Sequence, residues 1–396
     1  MRIVLIADSF PPEKTSAAIQ LRDLAKEIVN RGHDLTVILP SSTISCRYKI
    51  TLVDGYQVLR LKSFKIKDMN KIRRTVNEFL MPFLMRYNLS KSPYSNKSWD
   101  IIIWYSPSIF HGPLVKALKR KSNSKAYLII RDIFPEWALD LGLIKRGITY
   151  SFFKFIANYQ YKLADTIGVQ AQGNLVYFKS FMKRQKPVIQ VLPNWLGKSP
   201  LDPCSILLNN TPLSGKKVFV YAGNMGVAQG MEIILNLAII KKDRSDVGFL
   251  FVGRGSELIK LKCIAEEYNL KNVIFRDEIH PNEISRLYDQ CFAGIVALSH
   301  HHKSHNIPGK FLTYMQNGLP CFANINAGND LADLIRDKRI GCVSETNNLN
   351  DLSNLFDRFI LEVNADRNIS DRCRLFFEEE FSVEKVFKKI IKATEI

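Results

Sequence analysis

The side chains that could do chemistry gather in four short segments. In YAGNMGVAQG (221–230) a strand runs into a glycine-rich turn and then a helix. That order aims backbone N–H groups and a helix N-terminus at phosphate. Gly223 and Gly226 would let a diphosphate approach the chain, and Asn224 and Gln229 could donate neutral hydrogen bonds to it. A tight strand-to-helix turn with no ligand accounts for the same residues equally well. FVGRGSELIK (251–260) repeats the pattern, with Arg254 able to reach a phosphate or stay in solvent. Taken singly, the solvated reading is the better one there. HHHKSHNIPGKFLTYMQNGLP (300–320) holds four of the seven histidines, with Lys303 and Lys310. Adjacent histidines point apart in any regular element, and no carboxylate or thiol is near in sequence. An anion is therefore a better ligand here than a metal. Lys310 falls on the first turn of a helix, behind Pro308 at the first helical position, where a cation and a helix N-terminus can meet a phosphate. The alternative is a solvated lysine on a helix flank. In IIRDIFPEWALDLG (129–142), Arg131, Asp132 and Glu136 follow a strand. They would stand at the carboxyl end of a sheet, where functional groups collect on loops. The plain reading is a capping Asp132 and a surface Glu136.

These segments need strands that deliver them to one edge of a sheet. Residues 1–7 have a buried-strand pattern, 17–31 an amphipathic helix and 35–40 a second strand. That unit implies a parallel sheet. Further strands are expected at 57–61, 101–105, 126–130 and 166–169, as continuous Ile/Val runs that suit a sheet covered on both faces. Turn residues and prolines at 196–217 interrupt the rhythm. It then restarts with strands at 218–222, 248–253, 272–277, 293–298 and 320–324, each followed by a loop and most by a helix. The expected fold class is α/β, with two doubly wound parallel-sheet domains over 1–200 and 201–379. A last helix in 380–396 would pack back on the first domain. Two such domains would place a cleft between the carboxyl ends of their sheets, where ligands bind in open parallel sheets, and Arg131, Asp132 and Glu136 would face across it.

A chain of 396 residues suits two domains. Its 56 Lys and Arg against 38 Asp and Glu give a net charge of +18, a field that favours polyanions: nucleic acid, anionic lipid or nucleotide phosphates. No basic recognition helix, zinc finger or aromatic RNA-binding motif stands out, which argues against nucleic acid. Two basic stretches rich in bulky apolar groups, 64–91 and 145–162, could lie on an anionic membrane. Two core helices with solvated basic faces are the alternative, but two such stretches in one half favour the membrane. The seven cysteines show no CxxC spacing, which excludes the usual zinc and dithiol patterns and suits a reducing compartment. The first apolar run ends at Asp8, too early for a secretion signal, and no apolar stretch is long enough to span a bilayer. The expected location is the cytoplasm, peripheral on the inner face of the plasma membrane.

In their order along the chain, MRIVLIADSFPPEKTSAA, IIRDIFPE, ADTIGVQAQ, VLPNW, YAGNMGVAQG, FVGRGSE, DEIHPNEISRLY and IPGKFLTYMQNGLP resemble the retaining family 4 glycosyltransferases of GT-B fold. Within that family, VLPNW and GNMGVAQG are similar to the bacterial surface-polysaccharide (O-antigen or capsule) N-acetyl-L-fucosamine transferases. The resemblance implies two Rossmann-like domains, the first for acceptor and the second for nucleotide sugar. It implies transfer of a sugar from a UDP donor to an undecaprenyl-diphosphate-linked saccharide, with no metal and no other cofactor. The loop 11–18, with Thr15 and Ser16, would cover the donor diphosphate. Asp132 stands where many members carry a sugar-contacting histidine or acid, and Arg131 and Glu136 would lie near the acceptor. Lys310 matches the branch's lysine, next to Pro308 and Gly309, and Ile279 would meet the base. Asn224 and Gln229 replace an Arg and a Lys that usually grip the diphosphate. His305 and Thr313 replace two glutamates. Asp132, His305 and Lys310 are thus the expected catalytic set, and the diphosphate would lean on Lys310, Arg254 and helix termini. A non-hydrolysing UDP-sugar epimerase shares the architecture, but the quoted segments favour transfer.

Overall fold

The computed structural model describes residues 1–13, 15–66, 69–140, 142–178, 181, 187–198, 201–300 and 307–395. They form two compact units, Met1–Gly197 with Val383–Ile396, and Lys198–Ser382.

The first unit runs β1 (Arg2–Ile6), α1 (Ser16–Asn30), β2 (Asp34–Ser41), β3 (Tyr48–Val53), β4 (Tyr56–Lys62), α2 (Lys71–Ser90), β5 (Ile101–Tyr105), α3 (Gly112–Ser122), β6 (Lys125–Ile129), α4 (Glu136–Asp140), α5 (Ile148–Leu163), β7 (Thr166–Val169) and β8 (Val188–Val191). The sheet order is β3-β4-β2-β1-β5-β6-β7-β8. Along β1, Ile3 and Leu5 enter one apolar cluster and Val4 and Ile6 the other. Both faces are covered, so the strand reads as an unbroken apolar run. One edge departs from the expected parallel sheet: β3 is antiparallel to β4. Asp54 (φ 45°) and Gly55 (φ 84°) make the two-residue turn between them, a hairpin that needs positive φ at both positions.

The second unit runs β9 (Lys217–Ala222), α6 (Glu232–Ile240), β10 (Val247–Val252), α7 (Leu258–Glu267), β11 (Val273–Arg276), α8 (Ile284–Tyr288), β12 (Ala293–Ala297), α9 (Gly309–Gln316), β13 (Cys321–Asn324), α10 (Asp330–Lys338), β14 (Gly341–Ser344), α11 (Leu349–Ala365) and α12 (Ile369–Glu380). All six strands pair in parallel, in the order β11-β10-β9-β12-β13-β14. Counted within the unit this is 3-2-1-4-5-6, the doubly wound order whose direction reverses between the first and fourth strands. Phe219 and Phe356, with ring centroids 4.4 Å apart, sit in its core.

The chain then returns to the first unit as α13 (Val383–Thr394). Its apolar face, Val386, Phe387 and Ile390, is buried in the cluster that holds Leu21, Leu24 and Ile28 of α1.

Candidate functional site

The reversal of strand order in the second unit falls between β9 and β12, and two of the segments expected to carry chemistry meet there. Glycine at 223, with φ 145°, ends β9, and Lys310 lies on the first turn of α9, which follows β12. A Cβ added to Gly223 would stand 3.4 Å from Lys310 Cε and 3.6 Å from Nζ. The Lys310 ammonium lies 4.2 Å from the Tyr221 ring centroid and donates to the Tyr221 hydroxyl at 2.9 Å. That hydroxyl donates in turn to Asn224 O at 2.6 Å. No carboxylate pairs with Lys310 among the described residues, and burial lowers its pKa from 10.5 to about 8. No side chain caps α9, whose N-cap is Pro308. Pro308 is thus one position earlier than expected, because the extended backbone at 308 (ψ 138°) keeps it outside the helix. A half-buried cation beside an uncapped helix N-terminus suits an anion.

The glycine-rich turn contributes less than its sequence suggests. Gly223 N–H is given to Val252 O, Met225 N–H to Arg254 O and Gly226 N–H to Gln229 Oε1. Asn224 Nδ2 also donates to Gln229 Oε1, at 3.1 Å. Asn224 and Gln229 are thus tied to each other, and a short 3-10 turn, Val227–Gln229, precedes α6. In the second turn, a Cβ on Gly253 would lie 2.1 Å from Gly223 O, and one on Gly255 2.2 Å from Met225 O. Those glycines let the two turns pack face to face. Gly253→Ala, at φ 138°, is expected to lower stability by about 3 kcal/mol or more. Calorimetry showing an unchanged melting temperature would refute this account of the turns. Arg254 is exposed and pairs with Glu278 at 3.1 Å. Gly309 faces open space, Thr313 Oγ1 donates to Gly309 O at 3.2 Å, and Ile279 is half-buried after β11. His305, with His301, His302 and Lys303, lies outside the described residues.

In the first unit the direction of strand order reverses between β1 and β5. Thr15 caps α1 by accepting from Ala18 N–H at 3.2 Å and lies 2.7 Å from Ser9 Oγ, and Ser16 opens the helix. Asp132 follows β6 and is exposed, and lost solvation raises its pKa against the pull of Arg131. Two neighbours are not available to an acceptor. The guanidinium of Arg131 is buried over the Trp195 ring, 4.7 Å from its centroid, and donates to Leu192 O and Pro193 O at 2.8 and 3.4 Å. Trp195 Nε1 donates to Gln20 O at 2.7 Å. The LPNW segment is therefore a clasp between β6 and α1, and Arg131 belongs to it. Glu136 is buried and held by Lys154 and Tyr150.

Sequence reasoning passed over three residues at these two reversals. Tyr221 reads as an ordinary core aromatic, yet its hydroxyl holds Lys310. Asp8, just after β1, and His111, just before α3, place Oδ1 and Nε2 2.9 Å apart without hydrogen-bond alignment, and His111 is fully buried. Their signal was position: each lies in the loop that follows one of the two strands at the reversal.

Residues 209–375 match the model described as "Glycosyl transferases group 1". The match lies within the second unit and covers less than half of the chain. Among curated proteins, the chain is 23% identical over 239 residues to "Probable glycosyltransferase WbjE" of Pseudomonas aeruginosa, a match covering 59% of each chain. It is 22% identical over 299 residues to "Putative colanic acid biosynthesis glycosyl transferase WcaI" of Escherichia coli K12, covering 69% of this chain and 71% of that one. The fold is that of Anabaena Alr3699/HepE, crystallised with UDP: TM-score 0.67, 15% identity, 99% of each chain covered. With two parallel α/β units and this likeness, the fold is GT-B.

Proposed function

We propose that this protein is a retaining glycosyltransferase of bacterial surface-polysaccharide synthesis. It moves a sugar, N-acetyl-L-fucosamine, from a UDP donor to an undecaprenyl-diphosphate-linked saccharide. The observation that carries the reading is the Lys310 ammonium, half-buried at the strand-order reversal with no carboxylate partner among the described residues. A donor diphosphate supplies the missing countercharge. As the sugar–phosphate bond breaks, negative charge grows on the leaving diphosphate, and Lys310 with the N-terminus of α9 stabilises it where it develops. The acceptor hydroxyl attacks the same face of the sugar, and its proton passes to the departing phosphate oxygen. The UDP in HepE and the colanic acid biosynthesis named for WcaI support this donor and setting.

Asp132, exposed after β6, contacts the transferred sugar in this reading. The first unit docks on the anionic inner face of the plasma membrane through α2 and α5. Supporting this, Ile72, Ile148 and Phe155 are 81%, 91% and 73% exposed within the two basic stretches. Among the described residues no helix is long and apolar enough to cross a membrane.

The test is a panel of UDP- and GDP-sugars offered with a synthetic lipid acceptor, with product read by mass spectrometry. UDP-N-acetyl-L-fucosamine should give the product of added sugar mass, and EDTA should leave the rate unchanged. Asp132→Ala should reduce transfer by about a hundredfold with no change in melting temperature. Product from no donor would overturn the proposal, and activity lost to EDTA and restored by Mg²⁺ would overturn its metal independence.

A further inference from the structure

The two basic stretches that read as separate helices form, with α3, the walls of one groove in the first unit. Its volume is about 660 Å³, within the range of about 300–1,000 Å³ that holds one small ligand. Along α2, Phe79, Phe83 and Arg86 recur at helical spacing and share one side. Phe155 and Tyr159 of α5 form another wall, and Pro113, Lys116, Ala117 and Arg120 of α3 complete the lining. Phe79 and Phe152 meet across α2 and α5 with ring centroids 6.2 Å apart. Phe79, Phe83 and Phe155 are 41%, 48% and 73% exposed, so apolar surface here still faces water.

The charges in the lining have one sign. Arg86, Lys116 and Arg120 line the groove, no Asp or Glu does, and none of the three has a carboxylate partner among the described residues. Lys116 lies 5.8 Å from the Tyr159 ring centroid, its ammonium held beside the apolar wall. Other cations at the groove are already engaged: Lys97 with Asp34 at 2.9 Å, and Lys121 with Ser95 O at 2.5 Å. An apolar trough with unpaired guanidinium and ammonium groups fits a molecule with a hydrocarbon chain and a phosphate. It fits nucleic acid poorly, because the aromatic rings sit among aliphatic groups within the trough rather than along an open basic track.

We propose that the groove between α2, α3 and α5 takes one acyl chain of a single anionic phospholipid from the membrane leaflet, with its phosphate held by Arg86, Lys116 and Arg120. The inference rests on the membrane docking proposed above and makes it specific. The helices do not merely lie on the surface; they draw in one lipid.

Phosphatidylcholine vesicles containing a minor share of phosphatidic acid with a photoreactive diazirine on its acyl chain test this, using the full chain. Irradiation should label peptides of α2, α3 and α5. Ala117→Trp fills the trough without altering charge and should cut labelling about tenfold, while flotation with the vesicles changes less than about twofold. The Arg86→Gln/Arg120→Gln pair should cut labelling by a similar factor. Far-ultraviolet circular dichroism and UDP binding confirm that each variant is folded. Label spread over other surfaces, or undiminished in Ala117→Trp, would overturn the groove while flotation still supports docking. Neither label nor flotation would overturn both.

Discussion

Lys310→Met is expected to lose donor binding and gain stability in the same variant. The ammonium is buried against Tyr221 and Gly223, and its pKa is lowered from 10.5 to about 8 by burial. The unfolded chain therefore holds that proton more tightly than the folded protein. The penalty is fully present below pH 8 and fades as pH rises from 8 towards 10.5. Methionine keeps the length of the side chain and removes the charge. The Tyr221 hydroxyl keeps its own bond to Asn224 O. A net gain of about 1–3 kcal/mol near pH 7 follows once the lost Lys310–Tyr221 hydrogen bond is allowed for. Denaturant unfolding at pH 7 and pH 10 should show the gain shrinking at the higher pH. UDP binding should move the other way. Removing one partner of a desolvated charge pair costs about 3 kcal/mol, or roughly a hundredfold in Kd. In the unsubstituted protein UDP should bind more weakly as pH passes 8, by at most about tenfold per unit, because binding must then take up a proton. The variant should show no such slope. Unchanged UDP affinity in the variant would remove Lys310 from the donor site, whatever the stability result.

Much of this arrangement was legible in the residues, for reasons that also explain the failures. The strands at Ile101–Tyr105 and Thr166–Val169 were located to the residue because every position in them is buried, leaving an unbroken apolar run. β3, β8 and β14 were missed because they are largely half-buried or exposed and carry no such run. Even so, Asp54-Gly55 between alternating flanks is a hairpin signal of known strength, so β3 was readable and was passed over. The place of Lys310 on the first turn of a helix was legible because Pro308 and Gly309 mark where that helix starts. Arg131 was misread because a charged residue after a strand looks available. Only three-dimensional packing reveals that Leu192, Pro193 and Trp195 enclose it. The glycines of FVGRG repeat the pattern of a phosphate-binding turn. They provide room for the neighbouring turn, and no periodicity distinguishes the two.

Removal of residues 383–396 is expected to unfold the first unit and spare the second. α13 is far from the rest of that unit in sequence, yet Val383, Val386, Phe387 and Ile390 are nearly inaccessible within its core. Val383 N–H donates to Leu196 O at 3.1 Å, Thr166 Oγ1 donates to Ala393 O at 3.3 Å, and Phe387 packs on His33. Full burial of one such side chain contributes about 1.5–3 kcal/mol, so four together rival the roughly 5–15 kcal/mol that holds a domain folded. The double substitution Phe387→Asp/Ile390→Asp keeps the chain length and should act in the same direction. Hydrogen exchange read by mass spectrometry resolves the two units. Amides of β1, β2 and α1 should lose protection in both variants, while those of β9, β10 and β12 keep theirs. Retained protection of β1 in the deletion would mean that α13 only decorates a unit that is stable without it. The expected result has a kinetic counterpart. Along the chain, α13 is separated from the rest of the first unit by the whole second unit. The core facing α1 therefore stays open to solvent until α13 has been made, and aggregation of nascent protein should arise there.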